Sequence, residues 1–216
     1  MKPNLLALAL IASGSSVLAH PHVFIETQVT ALFDDQGRFQ GVRLIWTYDD
    51  YFSLLITEDL GVDTDRDMIL TQQEAAKLNS YMTDWEADYK GDLLIATAAG
   101  PLDLGAVQDH TGVMEEGRII ETHTRLLATP QDMTGPVTVQ VFDPGFYTAY
   151  TVVGSLGIEG RDDCTAVYQA ADLNKAYSLA DELLMGRAAS DVGPDEAFPE
   201  IGQAFADTVT VTCESS

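Results

Sequence analysis

The stretch that decides the predicted fold is residues 23–48, VFIETQVTALFDDQGRFQGVRLIWTY. Between residues 23 and 32 apolar and polar side chains alternate, which is the period of a β-strand with one buried face. The tetrapeptide DDQG at 34–37 is a turn signal, and a second strand is expected over 39–48. The chain is therefore expected to open with an antiparallel hairpin.

The alternation assigns a face to each residue of the first strand. One face carries Val23, Ile25, Val29 and Ala31, and the other carries Phe24, Glu26 and Gln28. If the strand begins near His22, that histidine shares the face of Glu26. Glu26 is then a further ligand, or a hydrogen-bonding partner, for a metal bound by His22.

A helical insertion is predicted over residues 49–90. Asp49 or Asp50 can cap a helix that runs to about Leu60. The sequence TQQE at 71–74 is a capping box that opens a second helix, with apolar residues at helical spacing after it.

Strand patterns then return between turns rich in glycine and proline. They cover residues 93–98, 105–110, 118–128, 137–142, 147–153, 164–170 and 208–213. A short helix is expected over 173–185, followed by a loose acidic connection at 188–199. Many short strands separated by turns favour an antiparallel β-sandwich-like core. The predicted fold is mainly β, and residues 20–216 form one β-rich domain with the helical insertion.

Charge restricts the class of partner. The 216 residues carry a formal net charge of −23. Nucleic acids and anionic lipid surfaces are therefore not expected as partners, because both require a basic footprint. An acidic surface either concentrates cations or reflects a salty habitat. After the N-terminal segment no apolar stretch approaches 18 residues, so the protein is not expected to be membrane-embedded.

Residues 1–19 resemble a secretory signal peptide. Lys2 precedes the apolar stretch 5–12, and VLA at 17–19 supplies a cleavage site. Cleavage after Ala19 would release the protein into the periplasm with His20 as its first residue.

The expected mature start, His20-Pro21-His22, is a candidate transition-metal site. Its α-amine and two imidazoles are nitrogen donors that suit zinc, copper, nickel or cobalt. Pro21 has no backbone N–H, so the copper motif that uses deprotonated amides cannot form. The alternative is that the terminus is an arbitrary polar start without a bound metal.

The other two histidines are His110 and His123. His20 and His22 need partners to complete a four-coordinate site, and both histidines are candidates for that role. Glu121, His123 and Arg125 share one face of a predicted strand. Taken singly, each histidine is expected to be a surface or hydrogen-bonded residue.

A calcium loop is predicted between the two helices of the insertion. The sequence DTDRDMILTQQE at 63–74 closely follows the EF-hand pattern. The predicted ligands are the carboxylates of Asp63, Asp65 and Asp67, the carbonyl of Ile69, Thr71 directly or through water, and Glu74 in bidentate fashion. Met68 stands where the pattern has glycine, at a penalty of about 1–2 kcal/mol for a left-handed conformation. We expect a structural calcium clip rather than a sensor.

Cys164 and Cys213 are the two cysteines of the chain. In an exported protein such a pair is expected to form a disulfide. A thiolate metal site is the alternative, but neither cysteine lies in a CxxC motif or near a histidine.

Three segments of the sequence resemble a bacterial exported family known as domain of unknown function 1007. They are HPHVFIE at 20–26, FDPGFY at 142–147 and FADTVTVTC at 205–213. The resemblance implies a periplasmic component of an uncharacterised ABC-type transport system, often found beside nickel/cobalt-type or zinc-related membrane transporters. It implies no residue-level mechanism.

Three functions are compatible with these features. The first is a periplasmic metal-binding protein that serves a membrane metal transporter, with zinc expected and nickel, cobalt or copper as alternatives. The second is a calcium-stabilised structural or adhesion module. The third is a copper-dependent oxidative enzyme with an N-terminal histidine. The chain has no G-x-S-x-G or H-E-x-x-H motif, so we do not expect an enzyme. The sequence predicts no oligomeric state.

Overall fold

The computed structural model describes residues 21–187 and 198–214. The predicted leader 1–19, His20 and most of the predicted acidic connection lie outside the described residues. Among the residues that are described, no helix combines the length and apolar character needed to cross a membrane.

The described chain is built mainly from strands in two sheets, together with three α-helices. The strands are β1 Val23–Phe33, β2 Phe39–Tyr48, β3 Leu93–Thr97, β4 Gly100–Pro101, β5 Leu104–Glu115, β6 Arg118–Gln131, β7 Val137–Val141, β8 Thr148–Val152, β9 Gly157–Glu159, β10 Cys164–Gln169 and β11 Thr208–Cys213. The helices are α1 Asp50–Leu60, α2 Gln72–Met82 and α3 Leu173–Leu183, and a 3₁₀ helix covers Gly202–Phe205. The sequence did not predict β4, β9 or the 3₁₀ helix.

The opening hairpin forms as predicted. β1 and β2 pair antiparallel, with Val29 opposite Leu44. In the turn, the Asp34 carboxylate accepts hydrogen bonds from the backbone N–H groups of Gln36 and Arg38. Burial along β1 alternates as the sequence indicates up to Ala31, and Phe24 is on the exposed face. The hairpin therefore supplies one apolar face to the core.

The two sheets share one apolar core. The six-stranded sheet has the order β5-β6-β2-β1-β8, with β9 also paired to β1, and the five-stranded sheet has the order β10-β11-β7-β3-β4. Leu44 and Trp46 of the first sheet belong to the same buried cluster as Ile95, Val139 and Val211 of the second.

The predicted antiparallel arrangement is wrong at one edge of the first sheet. β1 pairs parallel with both β8 and β9. Between β7 and β8 the chain passes from the second sheet to the first, through the turn around Asp143. Because no tight hairpin joins β1 to β8, local sequence does not set their relative direction.

The helical insertion lies between β2 and β3 in the chain, as predicted. Asp49 caps α1 by accepting a hydrogen bond from the backbone N–H of Phe52. Thr71 and Glu74 form the capping box that begins α2. These local signals fix where each helix begins.

The insertion packs against the β5 end of the first sheet. Asn79 of α2 accepts a hydrogen bond from the backbone N–H of Gly112, at 2.9 Å. A side chain at Gly112 would begin 2.5 Å from the Cβ of Met82, so glycine permits close contact between α2 and β5. The chain leaving α2 is thereby directed towards the side chains of β5 and β6.

The predicted disulfide is confirmed. Cys164 and Cys213 lie opposite each other on β10 and β11 and are bonded. The bridge joins the edge strand of the five-stranded sheet to its neighbour.

Candidate metal centre

The inner face of β6 carries a row of buried polar side chains. Glu121 and His123 are both 0% exposed, and Arg125 is 4% exposed. They lie at alternate positions of one strand, as the sequence predicted. Their burial was not predicted, because the sequence favoured a surface or hydrogen-bonded position for His123. Buried polar groups need partners or a function.

A β-bulge turns His110 towards this row. On β5, Gln108 lies opposite Thr124 and Thr111 lies opposite Thr122, so two residues of β5 face the single residue His123. The extra residue, Asp109, has a φ of 49°. Regular alternation from Val107, which pairs with Arg125, would turn His110 outward. The bulge reverses the alternation, and the His110 side chain is only 8% exposed.

His110, Glu121 and His123 form a compact cluster of potential ligands. One potential ligand atom from each side chain lies within 4.8 Å of the other two. His110 Nε2 is 2.6 Å from Glu121 Oε1. The second carboxylate oxygen, Oε2, accepts a hydrogen bond from the Tyr48 hydroxyl at 2.6 Å. Tyr48 thus fixes the orientation of the Glu121 carboxylate.

Several ring nitrogens of this cluster have no protein partner. Neither nitrogen of His123 has a hydrogen bond within the described part of the chain, and the same holds for Nδ1 of His110. The pKa of His123 is lowered to about 3, first by burial and then by the charges of His110 and Arg125. His123 is therefore a neutral imidazole at neutral pH, which is the form that binds metals.

Aromatic rings enclose the two imidazoles. The Trp85 ring centroid lies 4.3 Å from that of His110 and 4.8 Å from that of His123. Trp46 contacts His123 from the core, with centroids 4.5 Å apart. Gly91 has a φ of 73°, and a Cβ there would lie 3.1 Å from the Trp85 ring. Glycine at this position therefore lets Trp85 pack closely over the site.

The donor set fits a transition metal. Two imidazoles and a carboxylate are ligands that zinc accepts, and nickel, cobalt and copper also bind imidazole. An ion between these groups would replace the hydrogen bond between His110 and Glu121, and it would give a partner to His123. Three protein ligands leave one position of a tetrahedral ion for another donor.

The N-terminal histidine that is described lies apart from this cluster. The backbone N–H of His22 donates to the Tyr147 carbonyl, and the two rings are 4.8 Å apart. Neither group of potential ligands found within residues 21–187 and 198–214 includes His22. Glu26, predicted as its partner, forms an ion pair with Arg118 at 3.1 Å. His20 is outside the described residues.

Sequence reasoning missed several residues of the centre. Glu121 was placed on the face of His123, but it was not assigned as a ligand. Its position two residues before His123 was the available signal, because alternate strand residues share a face. Tyr48 and Trp85 carry no local signal, since they come from β2 and from the segment after α2.

The predicted calcium loop has a second group of potential ligands. Carboxylate oxygens of Asp63, Asp65 and Asp67 lie within 4.8 Å of one another. Asp63 is 6% exposed, and its Oδ1 accepts hydrogen bonds from the backbone N–H groups of Asp67 and Met68. Met68 has a φ of 60°, so it adopts the left-handed conformation expected where the pattern has glycine.

The remaining predicted calcium ligands lie further along the same loop. Glu74 Oε2 accepts hydrogen bonds from the Thr71 backbone and hydroxyl, at 2.9 and 2.7 Å. These bonds lower the pKa of Glu74, so its carboxyl group is ionised at neutral pH. Ile69, predicted to ligate through its carbonyl, has a side chain that is 72% exposed.

Comparison with known proteins identifies the family. An uncharacterized protein from Haemophilus influenzae is 24% identical to this chain over 218 residues, which cover 99% of this chain and 100% of the relative. The family model described as "Protein of unknown function (DUF1007)" matches residues 5–213. This result confirms the family that the three sequence segments resemble. Because the match spans nearly the whole chain, the protein belongs to the DUF1007 family.

Proposed function

We propose that this protein binds a transition-metal ion through His110, Glu121 and His123. Zinc is the first expectation, and nickel, cobalt and copper are the alternatives. The observation that carries the proposal is His123, a 0% exposed imidazole with no hydrogen-bonding partner among the described residues. An unpartnered buried polar group is destabilising, and a metal ion beside His110 and Glu121 would remove that penalty.

The burial of the centre favours storage or transfer of an ion over catalysis. Trp85 and Trp46 cover the imidazoles, which leaves little room for a substrate of any size. We therefore propose an accessory or delivery role for a membrane metal transporter. The periplasmic location rests on the predicted leader, and sequencing the N-terminus of the processed protein tests it.

Metal titration tests the centre. Chelator-stripped protein should bind zinc or cobalt in a one-to-one ratio, and His110→Ala and His123→Ala should each lower the affinity by at least about tenfold. Tetrahedral coordination should give cobalt a visible absorption band. His22→Ala is the matched control, because His22 belongs to neither ligand group among the described residues. Unchanged metal affinity in both His110→Ala and His123→Ala would exclude these histidines as the metal site.

The predicted N-terminal ligands need a separate experiment. Protein that begins at His20 should be compared with protein that carries one additional N-terminal residue. Weaker binding in the extended protein would assign the terminal amine as a metal ligand. Equal binding would leave the internal centre as the proposed site.

We also propose that the 63–74 loop binds calcium as a structural clip. The left-handed conformation of Met68 and the buried Asp63 carboxylate support this proposal. Calcium should raise the unfolding temperature of the chelator-treated protein, and Asp63→Asn should abolish that increase. Binding of calcium alone, without any transition metal, would favour the alternative of a calcium-stabilised structural module.

A further inference from the structure

One segment of the chain separates the proposed metal centre from solvent. Residues 83–91 make up most of the connection from α2 to β3, and they place Trp85 against both His110 and His123. His123 is 0% exposed, so no ion can reach it while this arrangement persists. A protein that takes up and releases metal must therefore move part of its structure.

Arg125 holds this segment against the sheet. Its Nη2 donates a hydrogen bond to the carbonyl of Tyr89 at 2.5 Å, and its Nη1 donates to the carbonyl of Gly105 at 2.9 Å. The guanidinium carbon lies 5.4 Å from the centre of the Trp85 ring. The Arg125 side chain thus contacts both the Trp85 ring and the backbone of the segment that carries Trp85.

The charge of Arg125 bears on the bound ion. Within the described residues no carboxylate lies at ion-pair distance from its guanidinium. Arg125 follows His123 by two positions on the same strand face, and its charge acts on the His123 imidazole. A divalent cation on His123 would repel the guanidinium. Occupancy of the centre should then weaken the contacts that hold the segment.

The outer side of the same segment is acidic. Asp84, Glu86 and Asp88 are exposed and line a cleft around Trp85, with Lys90 as the one basic residue of that lining. A cluster of negative charges raises the local concentration of cations and increases the rate at which they associate. The acidic residues therefore lie where an incoming ion would first meet residues 83–91.

We propose that residues 83–91 are a cover that opens to admit and release the metal ion, with Trp85 as the closing side chain and Arg125 as its latch. This inference rests on the proposed metal function. It adds the route of access and the residues that control the exchange rate.

The latch is tested by rates rather than by affinity alone. Arg125→Lys keeps the positive charge but loses the paired hydrogen bonds and the planar contact with Trp85. In stopped-flow measurements at pH 8, zinc association and dissociation should both accelerate about tenfold, in line with loss of a hydrogen bond from a charged group. The equilibrium affinity should change by less than about threefold, because both rates change together.

A second pair of variants tests the cover independently of the latch. Trp85→Ala should accelerate zinc association and dissociation as Arg125→Lys does, whereas Trp85→Phe keeps an aromatic ring over the imidazoles and should stay near the wild-type rates. Circular dichroism establishes that each variant is folded. If Arg125→Lys does not fold, the Trp85 pair still decides the question.

Asp84, Glu86 and Asp88 form the acidic rim of the cover. The role of this rim is tested by the triple variant Asp84→Asn, Glu86→Gln and Asp88→Asn. It should slow zinc association at low ionic strength and leave dissociation unchanged. The matched control neutralises three exposed acids elsewhere, with Asp35→Asn, Asp162→Asn and Glu182→Gln. Equal slowing in the two proteins would assign the effect to net charge and overturn the role of the rim.

The outcomes separate the two proposals. Zinc binding that depends on His110 and His123, with unchanged rates in Arg125→Lys and Trp85→Ala, would overturn the cover and preserve the proposed function. Failure of the wild-type protein to bind any transition metal would overturn both. Parallel acceleration of association and dissociation at nearly constant affinity is the result that supports the cover.

Discussion

The imidazole rings of His110 and His123 lie 5.8 Å apart, on neighbouring antiparallel strands. They meet because Asp109 adds one residue to β5 at this point, which turns His110 inward. The bulge therefore assembles the proposed metal centre, in keeping with the frequent occurrence of bulges beside functional sites.

The positive φ of Asp109 predicts a specific response to substitution. Asp109→Val should lower the free energy of unfolding by about 1–2 kcal/mol, because a β-branched residue is disfavoured in this conformation. Asp109→Gly and Asp109→Asn should be tolerated, since both residues adopt positive φ readily. Urea denaturation measures the three stabilities. Equal loss in all three variants would point to the carboxylate rather than to the backbone.

The buried His123 predicts that stability falls in mild acid. Its pKa is about 3 in the folded protein and about 6.5 in the unfolded chain, so the unfolded chain binds the extra proton between these values. The metal-free protein should therefore lose stability as the pH falls below 6.5, by at most about 1.4 kcal/mol per pH unit from this group. Urea denaturation at a series of pH values measures the slope.

His123→Gln provides the comparison for that slope, because other groups also titrate in this range. The difference between the wild-type and variant slopes should be greatest between pH 4 and 6. Parallel stability profiles over this range would show that His123 does not stay neutral in the folded protein.

The hydrogen bond from Tyr48 to Glu121 predicts an effect on metal affinity. Tyr48→Phe removes the hydroxyl that orients the carboxylate, so zinc affinity should fall by about 10–100-fold. Competition with a chromophoric chelator measures this change. Tyr51→Phe is the control, because Tyr51 is 67% exposed and lies outside the centre. A similar loss in both variants would contradict the role of Tyr48.

Met68 predicts a stabilising substitution in the 63–74 loop. Met68→Gly relieves a left-handed conformation at a φ of 60° and should stabilise the protein by up to about 1 kcal/mol after the entropy of glycine is considered. Calcium affinity should rise as well if the loop binds calcium. Thermal unfolding with and without calcium measures both effects. Ile69→Gly is the control, and it should be neutral or destabilising.

The disulfide predicts a large effect of reduction on stability. The bridge closes 49 residues, so the chain-entropy model gives about 4 kcal/mol for its loss. Urea denaturation with and without a reductant measures the difference. The Cys164→Ser and Cys213→Ser double variant should show the lower stability and no response to reductant. A reductant response in that variant would assign the effect to another cause.

Much of the fold could be predicted because its signals are local. Alternation over residues 23–32 set the buried face of β1, and Asp49, Thr71 and Glu74 set the beginnings of two helices. The pairing of Cys164 with Cys213 followed from their number and the expected compartment. Each of these features depends on neighbouring residues or on composition, so one sequence is sufficient to predict them.

The parallel pairing of β1 with β8 could not be predicted in the same way. It depends on how the chain returns from the second sheet, and the residues of β8 do not specify the direction of their neighbour. The expectation that His20 and His22 share a site with His110 and His123 also had no local support, because it assumed that histidines distant in sequence meet in space.

The sequence by itself determined most of the strands, the N-terminal caps of α1 and α2, the disulfide pair and the residue types available for metal chemistry. Only the tertiary structure decided which of these residues meet. The bulge at Asp109 and the pairing of β5 with β6 bring His110 to Glu121 and His123, while α2 directs Trp85 over them. Register and packing are properties of contacts between distant segments, and burial changes a histidine from a surface residue into a neutral potential ligand.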